Sequence, residues 1–83
     1  MNEISRKTKA FVIALALVLL EARKEAAWSQ NELAWRSGLS QQHIGYLERE
    51  LRHPSAETLK RLALALGRDL SDIIGEAERK CRQ

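Results

Sequence analysis

SQNELAWRSGLSQQHIGYLE, residues Ser29 to Glu48, reads as two short helices joined by a tight turn. Ser29-Gln30-Asn31-Glu32 has the form of a capping box, in which the Ser29 hydroxyl accepts from the Glu32 amide and the Glu32 carboxylate reaches back to the amide of Ser29. Trp28 and Leu33 flank that cap at the spacing of a hydrophobic staple. Leu33 and Ala34 face inward, and Gly38 supplies the left-handed conformation through which a chain leaves a helix and turns at once. Ser40 is a second N-cap, Leu39 and Ile44 repeat the staple, and Ile44 with Leu47 gives the i, i+3 apolar contact of a second helix. Gln41, Gln42, Gly45, Tyr46 and Arg49 are left on its outer side.

A glycine turn between two helices, with the small Ala34 where the second helix must pass close, describes a helix-turn-helix, whose second helix commonly lies in the DNA major groove. The same pattern fits ordinary packing of a helix pair, so it leaves both readings open. Five consecutive landmarks narrow them: SQ..LA at Ser29, G.S at Gly38, I..LE at Ile44, the R.PS turn at Arg52 and L..LA.ALG at Leu59. Over roughly residues 15 to 75 the chain resembles the Cro/repressor-type (XRE-like) helix-turn-helix DNA-binding family. That resemblance implies an all-α, five-helix, lambda-repressor-like DNA-binding domain over residues 10–78. A polar basic tail at 1–9 and a polar tail at 79–83 flank it.

Eighty-three residues make one domain, small enough that an interface with a second copy adds materially to stability. A formal charge of +3 and a pI near 9.4 allow an anionic partner without requiring one. Cys81 is the single cysteine, which excludes an internal disulfide and four-cysteine zinc sites and suits a reducing cytosol. His43 and His53 lack the spacing and neighbours of a metal site, so no metal or cofactor is expected. There is no Ser/His/Asp set, no carboxylate pair in a plausible cleft and no phosphate loop, and an enzyme is not expected.

The basic run Arg6-Lys7-Thr8-Lys9 followed by AFVIALALVLL has the outline of a signal peptide. The apolar run is too short to span a bilayer, no small-residue cleavage site precedes the charged EARKE, and the segment serves as the first helix. On a helical wheel Val12, Leu15, Leu19, Ala22 and Ala26 share one face, while Ala10, Ile13, Leu17 and Leu20 lie nearly opposite. A helix apolar on two sides is usually covered on both. The second face is therefore expected to meet helix five, the tail, or a second copy of the chain.

Further roles follow from the resemblance. Arg23 matches an arginine that pairs with the glutamate matched by Glu48, a structural ion pair between the first and third helices. Gln41 and Gln42 match residues used for direct readout, and glutamine can address adenine at N6 and N7. Tyr46, one turn on, is placed for a thymine methyl or a phosphate. Gln30 matches a phosphate-contacting glutamine, and Arg49, Arg52 and His53 are expected beside the groove as backbone clamps. Glu50 stands where the family usually has glycine and Leu51 where lysine is frequent, which leaves the turn geometry open. Ser55 and Asp69 cap the fourth and fifth helices, and EAERKCRQ after Gly75 reads as a tail. In related repressors and restriction–modification controllers the last helix often forms the dimer contact, so Leu70, Ile73 and Ile74 rival Ile13, Leu17 and Leu20 as interface residues.

The resulting expectation is a cytoplasmic transcriptional regulator, most simply a repressor, binding a pseudo-palindromic operator in double-stranded DNA as a homodimer, without a membrane partner. The alternative is an antitoxin or other protein-interaction module that uses the same fold to bind a partner protein.

Overall fold

The computed structural model describes residues 2–82, leaving Met1 and Gln83 outside the described residues. Five helices follow one another with no strand among them: α1 (Glu3–Glu25), α2 (Gln30–Ser37), α3 (Gln41–Glu48), α4 (Ala56–Leu66) and α5 (Leu70–Cys81). Helix α1, roughly 34 Å long at 1.5 Å per residue, runs along most of the 38 Å long axis. Helix α5 packs on α1 more extensively than any other pair of helices meets, α2 and α3 form the helix-turn-helix, and α4 lies against α2. The largest fully buried side chains are Val18, Leu33, Ile44, Leu62 and Ile73, one from each helix, so every helix commits a branched residue to a single core. No helix among the described residues is long and apolar enough to cross a membrane.

Local chemistry sets the helix starts. The side chains of Ser29, Ser40 and Ser55 each accept from the amide three residues on, as N-caps do. Two capping expectations need correction. Glu32 turns to the Arg36 guanidinium at 2.8 Å, so only the serine half of the capping box forms. Asp69 makes no side-chain cap bond, and the start of α5 is held by the Asp69 carbonyl, which accepts from the amides of Asp72 and Ile73.

The two polar ends are helical as well. Asn2 accepts from the Ser5 amide, Glu3 complements the helix dipole and pairs with Lys7 at 3.2 Å, and α1 starts at Glu3 although its first seven residues are exposed. At the other end, Ala77 lies one turn after Ile73 on the face that meets the core and is fully buried. Packing there outweighs the helix penalty of Gly75, about 1 kcal/mol. Lys80 reaches Glu21 at 3.3 Å, tying the last turn of α5 to α1, so the stretch read as a tail from Glu76 onward is helix as far as Cys81.

Helix α3 ends in a Schellman turn: the Leu51 amide donates to the Tyr46 carbonyl and the Glu50 amide to that of Leu47. Glu50 takes the left-handed position at φ 62, so the turn forms without a glycine there. A side chain there is strained. Glu50→Gly is expected to raise stability by about 1 kcal/mol, read as a higher urea midpoint with an unchanged slope.

Candidate nucleic-acid interface

Serine caps at positions 29 and 40 place Gln30 and Gln41 as the first residues of α2 and α3, and the turn brings the two side chains together. Their arrangement is dictated by a carboxylate. Glu48, at the end of α3, accepts from Arg23 Nε at 2.6 Å and Arg23 Nη2 at 3.0 Å, a bidentate pair whose side chains are 12% and 8% exposed. Arg23 also donates from Nη1 to the Trp28 carbonyl at 2.8 Å, which fixes the loop entering α2.

Glu48 Oε1 takes one more donor, Gln30 Nε2 at 2.9 Å. An ionised carboxylate can only accept, so Gln30 must turn its NH2 toward Glu48 and its carbonyl away. That carbonyl accepts from Gln41 Nε2 at 2.6 Å. Gln41 thereby has one N–H committed inward and its Oε1 and second N–H left free on an exposed helix face. An acceptor beside a donor is what adenine requires at N6 and N7. The order imposed by a buried ion pair thus passes through two amides to the first turn of α3.

Gln42 is also exposed, and its Nε2 donates to the Tyr46 hydroxyl one turn later at 2.7 Å. The Arg49 and Arg52 guanidinium carbons lie 5.7 and 5.5 Å from the Tyr46 ring centre, within cation–π range. Both arginines and His53 are exposed, and among the described residues neither arginine pairs with a carboxylate. Gly45, expected on the open outer side, is instead covered. A Cβ there would lie 3.7 to 3.8 Å from Gln30 Oε1, Gln41 Nε2 and Arg49 Nη2, so the glycine sits beneath the point where three polar side chains converge.

Of the interface residues expected for a second copy, Ile13 and Leu17 are each 42% exposed on one side of α1, and Leu20, Leu70 and Ile74 are half-buried. Ile73 must be removed from that set. It is 0% exposed inside the monomer, because the apolar stripe of α5 faces α1 and the core. Trp35, which carried no expectation, projects from α2 at 80% exposure. Trp28 is half-buried, and Arg36 stacks 4.3 Å above its ring, a contact between a loop and the far turn of α2 that no helical spacing announces.

A family model described as helix-turn-helix matches residues 19–73, from the second half of α1 into the start of α5. This chain belongs to that helix-turn-helix family. Among curated relatives, this helix-turn-helix chain is 41% identical over 54 residues to the immunity repressor protein of Bacillus phage phi105, covering 65% of the chain and 38% of that protein. It is 49% identical over 45 residues to an uncharacterised HTH-type transcriptional regulator, y4dJ, of Sinorhizobium fredii (strain NBRC 101917 / NGR234), covering 54% of the chain and 58% of that protein. The chain therefore spans between about two fifths and three fifths of the length of these relatives.

Among solved structures, the clp gene regulator ClgR from C. glutamicum superposes with a TM-score of 0.74 at 31% identity, over 81% of this chain and 87% of that one. The restriction–modification controller protein C.Esp1396I gives a TM-score of 0.81 over 88% and 94% of the two chains at 19% identity, a likeness of fold.

Proposed function

We propose that this helix-turn-helix chain is a sequence-specific DNA-binding transcriptional regulator, most simply a repressor, acting in the cytoplasm. In this reading α3 enters the major groove, Gln41 and Gln42 address base edges, and Gln30, Arg49, Arg52 and His53 hold the phosphate backbone. The observation that carries it is the first turn of α3: two exposed glutamines, each with one amide hydrogen held by a neighbour and a donor–acceptor pair left outward, beside two arginines without a carboxylate partner among the described residues. The names of the relatives, an immunity repressor and a gene regulator, support the same reading.

Gln42→Ala is expected to cost about 1 to 3 kcal/mol on the specific operator and little on random DNA. Titration of both DNAs with the native and variant proteins measures this. Equal losses on the two DNAs would remove base readout from Gln42.

The regulator is further proposed to act as a homodimer on a pseudo-palindromic operator, with half-sites about one helical turn apart. Ile13 and Leu17, large apolar side chains left half-open on one side of α1, are the surface proposed for it. Replacing Leu17 and Leu20 together by Glu is expected to reduce the solution mass from dimer to monomer. If sedimentation gives the same mass for both proteins, helix α1 is not the interface.

The same exposed pair supports a second reading, a protein-interaction module that binds a partner protein with DNA contact weak or absent; an antitoxin would show both behaviours. DNA binding that falls steeply with salt separates the two, since phosphate contacts release counterions and an apolar protein contact does not.

A further inference from the structure

Tyr46 lies in the row of side chains expected to touch DNA, yet its bonds run to other members of that row. Its hydroxyl accepts from Gln42 Nε2 at 2.7 Å, and its half-buried ring has the guanidinium groups of Arg49 and Arg52 at 5.7 and 5.5 Å. The left-handed turn at Glu50 returns the chain so that Arg52, beyond the end of α3, comes back over a ring inside the helix. We propose that Tyr46 is a positioning residue that orders the reading surface in two separable ways. Its hydroxyl holds the Gln42 amide at one place on the surface and so keeps it in register with a base edge, while its ring holds Arg49 and Arg52 where the phosphates pass.

The physical reason is conformational freedom. Glutamine and arginine side chains are among the costliest to order. A free Gln42 side chain samples several rotamers, whereas one bonded to the hydroxyl at 2.7 Å is held in one of them, with a donor and an acceptor still facing outward. Two arginines drawn to a rigid ring are likewise gathered before DNA arrives. Tyr46 acts here through its neighbours, without a base contact of its own.

The inference rests on the DNA-reading assignment above, and the test separates the two. The native protein is first used to select an operator from a random duplex pool. Binding to that operator and to random duplex is then measured across salt for native, Tyr46→Phe, Tyr46→Leu, Gln42→Ala and the double variant Gln42→Ala/Tyr46→Phe, after their thermal melting has been compared. Tyr46→Phe, which keeps the ring, is expected to reduce the preference for operator over random DNA about tenfold and to leave the salt slope unchanged. Tyr46→Leu is expected to lose that preference and also to flatten the slope by about one to two units, the equivalent of one or two phosphate contacts.

In the Gln42→Ala background the hydroxyl has nothing to orient, so Tyr46→Phe is expected to change nothing further. The same loss in both backgrounds would mean that Tyr46 touches DNA itself and would overturn the proposal. So would a Tyr46→Phe variant that discriminates as well as the native protein, or a Tyr46→Leu variant with the native salt slope. If the native protein enriches no sequence at all, the DNA-reading assignment fails and this inference falls with it.

Discussion

Arg23→Ala is expected to lower the free energy of unfolding by about 3 kcal/mol. The magnitude follows from where the partner is left. Glu48 is 8% exposed, and without the guanidinium its charge keeps only the Gln30 amide as a donor. Removing one member of a buried pair costs far more than the pair contributes, because the remaining charge has been taken from water without compensation. The exposed Glu3–Lys7 pair is the internal comparison, since both its side chains are more than two-thirds exposed and its loss is expected to be near the limit of measurement.

The Trp28 carbonyl also loses its donor in Arg23→Ala, which adds to the cost. Arg23→Lys should recover only part of it, because a single ammonium cannot bond both carboxylate oxygens and that carbonyl in the same fork. Urea unfolding of the three proteins reads these values. A loss under about 1 kcal/mol for Arg23→Ala would place the pair in effective contact with solvent. The variant also frees Gln30 to rotate, so discrimination by Gln41 should weaken even at temperatures where the domain remains folded.

Ile73→Ala is expected to cost about 3 to 4 kcal/mol, within the range for removing a buried branched side chain and leaving a cavity. Ile73 is fully enclosed and packs into the cluster shared by all five helices, where neighbouring helices cannot collapse freely into the gap. That is a large fraction of what a domain of this size possesses. Thermal or urea unfolding at several protein concentrations gives the value and tests its origin. A loss independent of concentration places it in the monomer core. A loss that vanishes at high concentration would return Ile73 to the interface between copies.

The caps and turns of α2 and α3 were legible because they are local: Ser29, Gly38 and Ser40 act on backbone groups within a few residues. The resemblance supplied the Arg23–Glu48 pair, which joins residues 25 apart in sequence. Ile73 shows where one-dimensional reading stops. An apolar residue late in the chain fits a core or an interface equally well by spacing, and only the placement of α5 against α1 decides between them. The ends of the chain show the same gap, since the burial that makes helix of Ala77 and its neighbours comes from α1, far away in sequence.

Polar coupling was the least visible part of the interface. Gln30, Gln41 and Glu48 each had an assigned role, but the passage of amide polarity from one to the next depends on angles that only the packed helices set. The signal that could have found it is the matched offset of the two serine caps, which starts both helices on a glutamine. At Glu50 local preference left the turn geometry open. The left-handed turn forms without glycine because Leu51 and the backbone bonds at the end of α3 hold it there.

Selection of bound sequences from a random duplex pool, repeated at two salt concentrations, tests most directly whether α3 reads DNA bases. Recovery of a two-fold symmetric motif, bound with an affinity that falls steeply as salt rises, is the expected result. Failure to enrich any sequence, with weak binding at low salt alone, would contradict base readout by Gln41 and Gln42 and direct attention to the exposed apolar side of α1.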